Sequence, residues 1–362
     1  MSVFSAYHST YYAANCPEQS SFLSSWQYVV YPLHYSNILF IPLAILAGYC
    51  IIFETPKQME HMKWVYFNLH FWLSLQSVYM TLLITPLVWL PTLSSTYLGI
   101  LSEFEVDDAI QAYLGSVIFI IPLAATVTLF ENRHQQIQNN RFRVRRKVVR
   151  YPVLGFNYLF SIFYSYPIIF QHKEKIDAKE AFLKLYPCPT EDFFDLKVTT
   201  FFRDPQSQQL IMFSMAILLC LLIIQLAFYS ATCFYYLVLK PASTIRLNSE
   251  LIHKRQRRFF LVTLLQVNVP FISMSPFIFY FIYSFFSSYY SQKLNNLIVL
   301  IISSNGIGST LVLLLCHQPY RKFLAFLLRR LWNRHRKPEQ SKHTSTTNIP
   351  AVFQHSVVMS SL

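Results

Sequence analysis

Glu131 and Arg133 stand two residues apart in Leu129-Phe130-Glu131-Asn132-Arg133, where a long apolar run gives way to a basic stretch. An acid and a guanidinium at such a boundary have two possible uses. In the first, Arg133 opens the basic block Arg141, Arg143, Arg145, Arg146, Lys147 and Arg150, which stops translocation and contacts anionic lipid. In the second, Glu131 restrains an arginine at the mouth of a helix bundle, and its release exposes a docking surface. The spacing by itself favours the first.

Of the 6 cysteines, Cys50, Cys220, Cys233 and Cys316 lie in or at the end of apolar runs, where a buried inert thiol is the default. Cys16 and Cys188, each beside proline, lie in polar segments on the face that the charge pattern below makes external and oxidising. A disulfide between them is the expectation. These cysteines lack paired ligand spacing, so no metal site is expected. The chain has no Gly-rich phosphate loop, no Gly-x-Ser-x-Gly elbow and no His-Glu-x-x-His pair, and holds only 6 glycines. No catalytic residue, cofactor or nucleotide-binding domain is therefore expected.

What must position these residues is a membrane. The chain is 54% hydrophobic and 13% charged over 362 residues, about half the charge of an ordinary soluble domain. Seven runs reach the ~20 residues that a helix needs to cross hydrocarbon: about 35–53, 64–90, 109–130, 151–170, 209–239, 259–286 and 294–316. An open sheet edge cannot be satisfied in lipid, so all are read as helices, joined by loops. The fold class is an all-α seven-transmembrane bundle over 35–317, preceded by an external segment 1–34. Pro42, Pro86, Pro122, Pro167, Pro270 and Pro276 should kink or loosen their helices.

Lys and Arg near span ends are kept in the cytoplasm. With the N-terminus outside, the inner segments 54–63, 131–150, 240–258 and 317–362 hold 23 of the 30 basic residues and 5 of the 17 acids, a net +18. The outer segments hold the other 7 bases and 12 acids, a net −5. N-out, C-in follows, and the basic blocks serve topology rather than nucleic acid. No Lys or Arg lies in residues 1–34, so the first span should act as its own insertion signal. The connection 171–208 is the longest between spans and should form a lid over an outer vestibule. Residues 334–362 read as a disordered cytoplasmic tail.

Between the basic ends the expected spans hold no Asp, Glu, Lys or Arg, which disfavours ion-coupled transport. His70 and amides such as Asn68, Asn157, Gln225 and Asn296 read first as interhelical glue. Tyr113, Met212, Tyr280, Tyr283 and Asn296 lie in the outer halves of their spans and are the candidates for a ligand pocket, in which an uncharged aromatic lining suits a neutral or weakly polar ligand. After the seventh span, Pro319 breaks the chain ahead of Phe323, Leu324, Leu327, Leu328 and Leu331, which share one helical face beside Arg329 and Arg330. Residues 318–333 should lie along the inner leaflet on anionic lipid.

From residue 16 to 332 the chain resembles the nematode serpentine receptors of class H, a family of seven-transmembrane chemoreceptors. The resemblance rests on Gly48-Tyr49-Cys50-Ile51-Ile52-Phe53-Glu54-Thr55-Pro56-Lys57-Gln58-Met59, Asn68-Leu69-His70-Phe71-Trp72, Phe130-Glu131-Asn132-Arg133, Leu185-Tyr186-Pro187-Cys188 and Pro319-Tyr320-Arg321, in that order. It implies a receptor coupled to a heterotrimeric G protein in the plasma membrane of sensory neurons, at their cilia, with an external small-molecule ligand. It also raises the second use of Glu131 and Arg133 and adds Pro319, Tyr320 and Arg321 as coupling candidates. Rhodopsin-like receptors place arginine directly after the acid. Here Asn132 intervenes and Arg133 is turned about 100° further, so an ionic lock of that kind is not expected. The third span has no outer cysteine, which again leaves Cys188 to Cys16. The alternative is a ligand-gated channel subunit of the seven-span chemosensory type, with its N-terminus inside, and after it a small-molecule transporter.

Overall fold

The computed structural model describes residues 7–335 apart from 17–20, 57–59, 93, 138–139, 145, 171–174, 201–204, 240–246 and 288. Arg145, most of the expected tail and the start of the basic segment 240–258 lie outside the described residues. The chain divides at Arg321, and from Lys322 it is a unit of its own, helical to His335.

The crossings are α1 (Trp26–Phe53), α2 (Glu60–Val78, prolonged as a π-helix to Leu83), α3 (Asp108–Gln136), α4 (Lys147–Phe163), α6 (Pro205–Phe234, prolonged to Leu239), α7 (Leu247–Ser287) and the pair α8 (Gln292–Ser303) and α9 (Asn305–Cys316). Six of these crossings are long and apolar enough for a membrane by composition. The remaining one, α2, starts with Glu60 and Lys63 and buries His70 and Gln76 between its neighbours. α3 is the central post, packed on α2, α4 and α6, while α1 closes the bundle against α2, α8 and α9. The glue between helices is polar. Asn157 and Gln225 exchange amide hydrogen bonds of 2.9 and 3.1 Å between α4 and α6. His70 Nε2 meets the Ala44 carbonyl at 2.9 Å and is a packed histidine.

Several boundaries depart from expectation. α1 begins at Trp26 rather than Tyr35, because a distant acid caps it. Ser25 gives the helix no side-chain cap, and the Trp26 N–H donates instead to Asp192 Oδ2 at 2.8 Å. α2 stops at Leu83, not near residue 90. Thr85 is fully buried at φ 38°, a left-handed conformation that a β-branched residue takes only when its surroundings impose it, and Pro86 follows. The apolar run Pro86–Trp89 is therefore a strand, β1, paired antiparallel with β2 (Ser94–Tyr97) rather than helix, so Pro86 kinks no span. Gly99 returns the hairpin against the end of α2. Its N–H donates to the Ile84 carbonyl at 3.0 Å, and a Cβ there would strike the Leu83 carbonyl. Pro167 likewise lies in a short 3-10 turn, Tyr166–Phe170, beyond α4. Pro42, Pro122, Pro270 and Pro276 are inside helices.

The lid carries a helix, α5 (Lys175–Leu185), a short turn Asp192–Asp195, and β3 (Thr199–Thr200), which pairs with β2 and completes a three-stranded sheet. The seventh crossing is interrupted at Ser304. The Ser303 carbonyl freed there accepts from Ser77 Oγ at 3.1 Å, and Gly306 lets the helices close, since a Cβ would collide with Ser77 and Phe40. The gap left beside Gln76, Ser77, Met80 and Ser303 is too narrow for a water molecule.

Candidate functional site

At the basic end, α3 runs past Phe130 to Gln136, so Glu131 and Arg133 are both helical and both buried. Residues two apart point about 200° apart around a helix. Glu131 accordingly turns to α4, where its Oε1 lies 2.6 Å from Arg150 Nε. Arg133 turns to α2 and α7. Its Nη2 donates to the Tyr66 hydroxyl at 2.8 Å, and its guanidinium lies 5.5 and 5.8 Å from the rings of Tyr66 and Phe259. The Tyr66 hydroxyl also hydrogen-bonds Thr263 of α7, one turn beyond Phe259. His317 closes the cage, edge-on to Tyr66 and stacked on Phe259. Burial, with Arg133 beside it, pushes its imidazole down to about 4, so it stays neutral.

Tyr320 packs on His317 and pairs its hydroxyl with Thr55 at 2.8 Å, tying the end of α1 to the segment after α9. Of the five coupling candidates, the structure thus brings Arg133 and Tyr320 to one cage and places Glu131 on another face of α3. Pro319 follows the cage in sequence, and the Arg321 side chain is exposed. The residues missed were Tyr66, Phe259, Thr263 and His317. Only the i,i+4 spacing of Phe259 and Thr263 hinted that they share a helix face.

At the lid end, Cys16 and Cys188 form a disulfide with Cα atoms 5.4 Å apart. The N-terminal stretch is fixed along the lid by two phenols: Tyr7 donates to the Pro187 carbonyl at 3.0 Å and Tyr12 to that of Pro189 at 2.8 Å. The lid fills the mouth of the bundle with a core of Val29, Leu33, Trp89, Phe182, Phe193 and Val198, in which Phe193 meets Trp89 and Phe182 ring to ring. Lys179 donates to the Phe194 carbonyl at 2.8 Å and lies over the Phe193 ring, where burial pulls its pKa down. The vestibule expected beneath the lid is therefore occupied by the lid's own side chains.

The five pocket candidates are not gathered. Tyr113 donates to the Ile162 carbonyl at 3.1 Å on the α4 side, and Met212 is exposed on α6. Tyr280 donates to the Ser291 carbonyl at 3.3 Å, whereas Tyr283 faces outward near Tyr289. Asn296 is fully buried and clamps the chain entering α1, its Nδ2 donating to the Leu23 and Ser25 carbonyls at 3.0 and 3.1 Å. A cleft of about 420 Å3 does open at this end, between residues 21–31 and the lid segment 190–192. Among the described residues no group of three or more His, Cys, Asp or Glu could hold a metal ion.

Residues 24–330 match the family model described as serpentine type 7TM GPCR chemoreceptor Srh. The chain is 27% identical over 323 residues to serpentine receptor class H-72 of Caenorhabditis elegans, covering 88% of this chain and 91% of that protein. Squid rhodopsin shares the fold at 12% identity, with a TM-score of 0.59 over 88% of this chain and 90% of that one.

Proposed function

The chain belongs to the Srh family of serpentine seven-transmembrane GPCR chemoreceptors, and from that premise we propose that it detects an external small molecule and reports it to a heterotrimeric G protein. It is a multi-pass membrane protein of GPCR type. In this reading the lid end faces outward and the basic end faces the cytoplasm, in the plasma membrane of sensory cilia.

The observation that carries the reading is the Arg133 cage. A guanidinium from the central post is held beneath the basic end by one hydroxyl and two aromatic faces from α2 and α7. Among the described residues no carboxylate pairs with it, because Glu131 is engaged by Arg150. Moving α7 away from α2 would separate Tyr66 from Thr263, open the cage and present Arg133 to a partner. A ligand favours that state only through its difference in affinity between the two conformations. The basic segments 131–150 and 240–258 would then flank the docked G protein, and the helix Gln318–His335 would rest on anionic lipid.

The test needs no ligand. In cells carrying the receptor at matched surface levels, Tyr66→Phe should raise ligand-independent G-protein turnover and Arg133→Ala should abolish it. If both variants signal like the unsubstituted chain, the coupling role is wrong.

A further inference from the structure

Of the six crossings that are apolar enough for a membrane, α7 is the least covered: 11% of its most apolar stretch is buried, against 56% in α3. It leans on α8, α9 and the last turn of α6, and its other side is bare. Along that side run Leu261, Leu265, Ile272, Phe279 and Phe286, 44–81% exposed. An apolar stripe of this kind calls for nothing but lipid, whose tails are as apolar as leucine.

Asn268 does not fit that account. It is exposed and lies within about 60° of each of those residues around the helix, about one turn from the middle of the crossing Gln256–Ser287. Its Nδ2 donates to the Leu264 carbonyl of its own helix at 2.8 Å, and among the described residues its Oδ1 accepts no hydrogen bond. Other amides at similar depth are turned inward. Asn37, Asn157 and Asn305 are buried; Asn37 accepts from Thr81 at 3.0 Å, and Asn157 exchanges two hydrogen bonds with Gln225. An amide oxygen without a donor in hydrocarbon is unfavourable, and only a polar group at the same depth relieves it.

A second copy of this chain supplies such a group at the right depth. Two copies inserted with the same orientation carry Asn268 at one level, and a two-fold axis along the membrane normal sets the two amides face to face. The amide is its own electrostatic complement, because Nδ2 has a second hydrogen to donate and Oδ1 lacks a donor. No charged residue lies between Arg258 and Lys293, so nothing repels the like stripes. Ser275, about two turns beyond Asn268 on the same face, is small enough for close approach.

We propose that the bare face of α7 pairs with that of a second copy, the two Asn268 side chains hydrogen-bonding each other across the axis. The contact bears on the Arg133 cage. Phe259 and Thr263 of the same helix help to build that cage on the inward side, so pairing on the outward side restrains the helix whose movement opens it. That consequence rests on the receptor reading, but the pairing itself can be measured apart from it.

The experiment uses the full chain, one fluorophore per copy, in liposomes at graded protein-to-lipid ratios without G protein, and counts photobleaching steps. Two steps should predominate at high ratio and give way to one on dilution. Asn268→Leu should weaken pairing about tenfold. Asn268→Gln keeps donor and acceptor and should pair nearly as well as the unsubstituted chain. Ile272→Trp places a bulky ring on an already exposed position and should wedge the copies apart while leaving the thermal unfolding temperature unchanged. Single steps at every ratio, undiminished pairing in Asn268→Leu or Ile272→Trp, or clusters that grow past two copies overturn the proposal. Pairing in a chain that never turns over a G protein would instead sink the receptor reading and leave this contact standing.

Discussion

The two ends of the bundle handle buried polarity in opposite ways. The lid end is sealed by aromatic packing, a sheet, a disulfide and side chains that cap or clamp backbone groups, so its polar atoms serve the chain's own entry into α1. The basic end holds a buried arginine, a half-buried one and a buried carboxylate, whose partners are few and divided among four helices. Apolar packing is additive and hard to undo in part, whereas a buried charge keeps its place only while its few partners stay put. One end is built as a stopper and the other as a latch.

Trp89→Ala should break the stopper most severely. The indole is fully buried against Phe193, and its loss should cost about 3–5 kcal/mol and lower the thermal unfolding temperature by several degrees without changing the contacts of Arg133. Glu131→Ala is the matching test of the latch. With Arg150 only 20% exposed, the abandoned guanidinium should cost about 3 kcal/mol, and restoring partial stability by Arg150→Met in the double variant would show that the charge, not the volume, was at stake. Cys16→Ser should remove about 2–5 kcal/mol, since the bond spans 172 residues, and the N-terminal stretch should then become sensitive to protease. Equal sensitivity with the bond intact would mean that Tyr7 and Tyr12 do not hold that stretch.

Smaller effects sharpen the contrast. Tyr320→Phe removes one hydrogen bond to Thr55 and should cost about 1 kcal/mol, but it should loosen the segment after α9 and so shift basal signalling more than stability. The smallest effect is pH dependence at the lid. Burial, with Asp195 and Glu191 nearby, raises the Asp192 pKa against the lowering by the Trp26 N–H. A carboxyl raised in the folded state binds its proton more tightly there. Its contribution is full below the ordinary value of 3.8 and is lost as pH rises through the raised one. Melting curves from pH 4 to 7 should therefore fall slightly with pH, and Asp192→Asn should flatten that slope.

The crossings were legible because about 20 apolar residues bounded by charge leave a chain little choice in lipid. The strand β1 was not. Val88 and Leu90 read like the rest of the run, and nothing local says that a buried left-handed Thr85 will turn the chain out of α2. The start of α1 was hidden for a related reason, since its cap comes from Asp192, far along the chain. Cys16 and Cys188 stood out because a polar segment outside the apolar runs leaves a thiol without an apolar home. The pocket candidates could not be chosen well: helices that are apolar all round carry no 3.6-residue signal to say which side faces in.

The sequence by itself determined the number of crossings, the charge difference between the two ends, the long lid and the family. These depend on composition summed over tens of residues, where the cost of placing charge in hydrocarbon outweighs any local detail. Only the tertiary structure decided that Glu131 holds Arg150 while Arg133 goes to Tyr66, and that the lid fills the vestibule and leaves its open cleft beside α1. Those choices turn on helix rotation and on partners far apart in the chain, which separate neighbours two residues apart and join residues distant in sequence.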